Sequence, residues 1–227
     1  MARTSLATAP PEDRPVAALA SARKGAVDLE AVRRAAAGCR ACDLWARATQ
    51  TVFGSGPAPA PIMLVGEQPG DREDMEGEPF VGPAGGILSR ALEEAGIDRE
   101  RAFVTNVVKH FKWKPTPGGK RRLHEKPNKV EVGACLPWVQ TELELVRPKA
   151  LVLLGATALG ALAGPDFSVL RDRGKPLDLP HAPLVATTVH PSSILRAGSG
   201  RELAYKAFVR DLRFVGRWLD RHGVSPA

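Results

Sequence analysis

Apolar positions along the chain alternate between short continuous runs and longer stretches with helical spacing. Ile62-Met63-Leu64-Val65 is an unbroken apolar run ending at Gly66, the pattern of a strand buried on both faces. The stretches 103–108 (FVTNVV), 150–154 (ALVLL) and 184–189 (LVATTV) are apolar and rich in β-branched residues, and they predict three more strands. Helical spacing marks 27–37, 84–95 with Gly96 as its stop, 128–146, a segment opened by Gly155, and 201–221. Strands alternating with helices predict an α/β domain around a central, largely parallel four-stranded sheet. Residues 1–25, rich in Ala, Pro and charge without apolar periodicity, are expected to form a disordered tail ahead of a single domain over 26–222. The polar segment 109–127 carries Gly118-Gly119 and a dense basic cluster, and reads as a long loop.

Length and charge narrow the possibilities. A chain of 227 residues can bury a substantial core. A net charge of +7 makes a polyanion the first partner to consider. With no apolar run long enough to span a bilayer and no compact apolar leader, a cytoplasmic protein without a membrane partner is expected, and a monomer. Cys39, Cys42 and Cys135 are an odd set of three, which argues against a disulfide framework. A redox C-x-x-C normally follows a strand. Cys39-x-x-Cys42 follows a helical stretch instead, so a metal site completed from elsewhere is favoured.

The polar motifs cluster at strand ends. Gly66-Glu67-Gln68-Pro69-Gly70-Asp71 follows the first strand, Asn106 lies near the end of the second, and His190-Pro191-Ser192-Ser193 follows the last. In open α/β sheets the carboxyl ends of strands are where ligands bind, so three loops are expected to meet in one pocket.

GEQPGD (66–71), EPFVGPAG (78–85), TNVVK (105–109) and HPSSILR (190–196), in this order, resemble the iron–sulfur branch of the uracil-DNA glycosylase superfamily. KHFKW (109–113) followed by GGKRRLH (118–124) is most similar to its uracil-DNA-crosslinking type, UdgX, with Leu123 in place of Ile. The resemblance implies a three-layer α/β/α sandwich acting on uracil-containing DNA, with single strands preferred because base flipping costs a duplex a few kcal/mol. It implies that Phe80 stacks on the flipped base, that Asn106 reads the Watson–Crick edge of uracil, and that His190 donates to uracil O2. Gln68 would contact uracil through backbone or side chain, with Gly66 and Ser192 in the same pocket. Glu67 and Asp71 would assist chemistry at the sugar, and His124 would attack C1′ once uracil has left, leaving the protein covalently attached. Lys120, Arg121, Arg122 and Arg196 would grip phosphates.

Relatives carry a Cys after Asn-x-x-Lys where this chain has His110. The resemblance therefore implies a [4Fe–4S] cluster on Cys39, Cys42, His110 and Cys135. Zinc, which takes Cys₃His sites, is the alternative cofactor. Two other functions fit the same motifs: a turnover glycosylase in which water attacks, and a non-catalytic uracil- or lesion-binding module.

Overall fold

A computed structural model describes residues 28–119 and 121–226. The expected tail over 1–25 and Lys120 lie outside those residues. The first element among the described residues is helix α1 (Leu29–Ala37), whose N-cap Asp28 accepts from the Ala31 amide at 2.7 Å. The four apolar runs form strands β1 (Ile62–Gly66), β2 (Ala102–Asn106), β5 (Ala150–Leu154) and β7 (Leu184–Thr188), every residue of which is buried. They pair in parallel in the order β2-β1-β5-β7. The sheet has five strands where four were expected, because β6 (Pro176–Leu177) adds to β7 as an antiparallel edge. Two residues are too short to leave a period-2 pattern, and proline is tolerated at an edge.

Alternation along each strand sends side chains into two separate cores. On one face Met63, Val65, Phe103, Leu151 and Leu153 meet α1, α4 (Lys129–Val146) and α5 (Ala156–Leu162). On the other, Ile62, Leu64, Val104, Val152 and Leu154 meet α3 (Pro83–Glu94), α7 (Pro191–Leu195) and α8 (Arg201–Arg221). The result is the three-layer α/β/α sandwich. Short helices α2 (Asp71–Glu76) and α6 (Val169–Asp172) complete the set. Among the described residues no helix is long and apolar enough to cross a membrane.

The segment 109–127 departs from the expected loop. It contains an antiparallel hairpin of β3 (Trp113–Pro115) and β4 (Arg122–His124), with Trp113 opposite His124. Gly118 and Gly119 both take positive φ, which lets the chain reverse between the two strands.

Candidate functional site

The loops that follow β1, β2 and β7 meet at one end of the sheet and line a cleft of about 1150 Å³. Gly66, the last residue of β1, is its floor. A methyl group there would lie 2.4 Å from Asn106 Oδ1, 2.8 Å from the Phe80 ring and 3.3 Å from His190 Nε2. Three of the expected pocket residues therefore surround one backbone position from which glycine has removed the side chain. The Asn106 amide oxygen is buried and unpartnered, an acceptor held ready for a donor on a ligand. A Gly66→Ala variant is expected to fold but to lose about 10²-fold in turnover of whatever occupies this cradle. Single-turnover kinetics, set beside an unchanged circular dichroism spectrum, would check this.

Phe80 is held rigidly. Its φ of 60° is unusual for a residue with a side chain. Its carbonyl sits where a Cβ on Gly85 would be, 1.6 Å from that position, so the glycine after Pro83-Ala84 is what lets the loop close down onto α3. Glu73, buried on α2, accepts from the amides of Gly70 at 3.1 Å and Gly82 at 3.0 Å, tying the first loop to the Phe80 loop. The Phe80 and His190 rings are stacked with centroids 6.1 Å apart.

His190 has a defined tautomer. The Ser192 backbone N–H and hydroxyl both point at Nδ1, at 3.2 and 2.8 Å, so Nδ1 accepts and Nε2 carries the hydrogen toward the Gly66 cradle. Burial lowers its pKa to about 4, against a smaller opposing pull from Glu67, which keeps the ring neutral. Ser192 thus orients His190.

Above the cradle, His124 Nε2 lies 3.3 Å from Glu67 Oε1, with its side chain about half exposed to the cleft. Thr157, on the first turn of α5, donates a very short hydrogen bond to Glu67 Oε2. Burial would raise the Glu67 pKa, yet the hydrogen bonds from His124 and Thr157 outweigh it and hold the carboxyl below its usual range. Thr157 was not expected from the sequence. A threonine just inside a helix is common, and nothing local distinguishes this one.

Other expected residues are engaged with the protein itself. The Gln68 side-chain amide donates to the carbonyls of Lys112 and Glu125 at 3.2 and 3.1 Å and accepts from the Lys112 amide at 3.2 Å. It braces both arms of the hairpin, leaving its backbone for the cleft. Arg122 is paired with Asp71 and Asp74, each at 2.5 Å, and lies over the rings of Phe111 and Trp113. Arg122 is therefore an anchor of the hairpin in this state, and Asp71 its partner at the cleft rim. Arg121 is exposed at the hairpin, and Arg196 borders the cleft after α7.

A buried ion pair lies beneath the site. Lys109 Nζ meets Glu142 at 2.7 Å, Thr105 Oγ1 at 2.6 Å and the Asn106 carbonyl at 2.8 Å, with both charged side chains fully buried. Glu142 also accepts from Thr105 and from the Gly54 amide. Burial of Lys109, in the loop after β2, and of Glu142, on α4, leaves no local sequence signal.

On the α1 side, Cys39, Cys42 and Cys135 lie in the same core. A hydrogen bond between Cys42 and Cys135 lowers the Cys42 pKa to about 7 and raises that of Cys135, which burial raises further. The amide of Lys109 and the indole of Trp138 direct N–H groups at Cys135 and Cys39 sulfurs, at 3.4 and 3.3 Å. His110 is buried, and burial lowers its pKa to about 4. Its Nε2 meets Thr51 Oγ1 at 2.9 Å, while Nδ1 is buried without a partner. Thr51 in turn donates to the Ala36 carbonyl, which also accepts from the Cys39 amide, joining His110 to the cysteine turn. Among the described residues no group of three or more His, Cys, Asp or Glu converges closely enough to hold one metal ion. The lowered Cys42 thiol, the N–H groups aimed at the Cys39 and Cys135 sulfurs and an orphaned imidazole nitrogen nevertheless fit the chemistry of a thiolate–imidazole cluster site.

Sequence comparison follows the same outline. The family described as the uracil DNA glycosylase superfamily matches residues 53–213. The chain is 39% identical over 159 residues to the Type-4 uracil-DNA glycosylase of Thermotoga maritima, covering 70% of this chain and 78% of the relative. It is 34% identical over 194 residues to that of Sulfurisphaera tokodaii, covering 81% and 84%. To the Pyrobaculum aerophilum protein of the same name it is 35% identical over 203 residues, covering 86% and 97%.

Proposed function

The chain belongs to the uracil DNA glycosylase superfamily, and from that membership we propose that it excises uracil from DNA, single strands preferentially, and is left joined to the deoxyribose through His124. The observation that carries the reading is the placement of His124, 3.3 Å from an anionic Glu67, over a cradle whose walls match uracil.

Uracil lies against Phe80. Its N3–H donates to the unpartnered Asn106 Oδ1, and its O4 accepts from the Asn106 amide. Cytosine offers the opposite pattern and would leave both groups unpaired, a mismatch that costs about 10⁴-fold or more. As the bond from C1′ to uracil N1 breaks, its electron pair leaves with the base. The resulting anion is stabilised at O2 by the fixed Nε2–H of His190. Neutral His124 bonds to C1′ through the lone pair of its unprotonated ring nitrogen as the uracil anion departs, and the ring, cationic once that bond has formed, gives its remaining N–H proton to Glu67. Water has the same electrophile available, but His124 is already in place. The likeness to Type-4 uracil-DNA glycosylases favours a second reading, in which Glu67 directs water and the protein turns over.

Cys39, Cys42, Cys135 and His110 Nδ1 are the residues that would hold a [4Fe–4S] cluster. When bound, it would tie α1, α4 and the end of the β2 loop together, with no part in the bond changes. Ligand type alone would suit zinc equally, and it is the family resemblance that puts the cluster ahead.

Mixing the protein with a uracil-containing single-stranded oligonucleotide tests the reading on a denaturing gel. A band that survives heat and detergent, absent when thymine replaces uracil, and mapping to His124, is expected. An alkali-labile abasic product accumulating over many turnovers, without the band, would favour water. Neither product would leave a binding module.

A further inference from the structure

The turn that carries the C-x-x-C motif presents a surface that the pocket does not use. Trp45 is 39% exposed although it is a large aromatic, and the guanidinium of Arg40 lies 4.3 Å from its ring centroid. Two residues on, exposed Arg47 lies 5.0 Å from the ring of Trp113 and accepts that residue's indole N–H through its carbonyl at 2.9 Å. Trp113 is the strand partner of His124 across the hairpin. Through the Arg47 carbonyl the turn that carries Arg40 and Trp45 is tied to Trp113, and so to the strand facing His124. Lys114, exposed beside Trp113, reaches the rim of the cleft. Asp43 lies in the same turn, but neither Arg40 nor Arg47 forms an ion pair among the described residues.

An exposed tryptophan interleaved with unpaired arginines is how single-stranded nucleic acid is held without sequence preference. The rings stack on bases and the cations follow phosphates. We propose that Arg40, Trp45 and Arg47 form a track for the single-stranded DNA flanking the uracil nucleotide, with one base stacked on Trp45. Trp113 serves as the brace that fixes the track relative to His124. This assignment rests on the uracil-DNA reading of the cleft and adds a partner surface outside it.

The test compares wild-type protein with Trp45→Ala, Trp45→Phe and the double variant Arg40→Gln/Arg47→Gln. Each is assayed on a uracil strand of about four nucleotides and on one of about twenty, and for binding to a uracil-free strand of the longer length. Trp45→Ala is expected to bind the longer strands about tenfold more weakly, with Trp45→Phe restoring most of the loss. The double variant is expected to flatten the dependence of log affinity on log salt by about 0.7 per arginine removed. On the short strand all variants are expected to react as wild type does. Unchanged affinity of Trp45→Ala for the longer strands would overturn the track, as would an equal loss on short and long strands, because the effect would then come through the fold. If wild-type protein releases no uracil while the Trp45 effect on uracil-free DNA persists, the reading of the cleft fails and the track stands.

Discussion

Replacing His124 with serine is expected to abolish the heat-stable adduct while leaving uracil release within about tenfold of wild type. On the proposed reading Asn106, His190 and Phe80 hold and expel the base, and all three meet at Gly66, whereas His124 lies beside Glu67. They stabilise the departing uracil whether or not a nucleophile waits above. The serine is too short to reach the sugar from a strand position, and the space it vacates admits water beside Glu67, whose carboxylate is still fixed by Thr157. The variant should therefore become a turnover enzyme. Denaturing gels read the adduct and alkaline cleavage reads the abasic site, on the same samples. Loss of both products together would mean that His124 is needed for bond cleavage itself.

The second large effect is expected at the buried ion pair. Lys109→Met removes the cation and leaves the Glu142 carboxylate in a dry interior, where breaking such a pair costs about 3–5 kcal/mol. It also removes the donor to the Asn106 carbonyl, so the strand end that aims the Asn106 amide into the cleft loses its tie. Two losses should appear separately. Urea denaturation should give a lower midpoint with an unchanged slope. Below that midpoint, where the protein is fully folded, uracil release should still fall. A variant with the stability loss and wild-type release would restrict the pair to the fold alone.

These sites show what was legible in the sequence. The four long strands were readable because each is sealed on both faces and so is apolar at every position. α8 was readable end to end because its apolar face repeats over 201–221. The pocket floor was readable because Gly66, Asn106 and His190 are each placed by a strand end. β6 and the hairpin were not. Two residues carry no period, and in RLH and WKP the alternation of apolar and polar positions is too brief to see.

Least legible were the partners of polar residues when those partners are distant in sequence. Gln68 read as a base contact and Arg122 as a phosphate contact, since both types do these things. The Lys112 and Glu125 carbonyls that occupy the first, and the Asp71 and Asp74 carboxylates that occupy the second, are known from the fold alone. Asp74, Glu73 and Glu142 carry no local signal of their role, and each is a buried anchor.

The manner in which the hairpin is attached has a consequence for ancestry. It is not an extension of the central sheet. It is fastened from outside by a glutamine amide, an arginine between two aspartates, and an indole hydrogen bond. A part attached in this way can be acquired or discarded while the sheet and its base-reading floor stay as they were. Members of the superfamily with and without it would then differ by an accessory of about a dozen residues and three fastenings, with the floor at Gly66, Asn106 and His190 inherited unchanged.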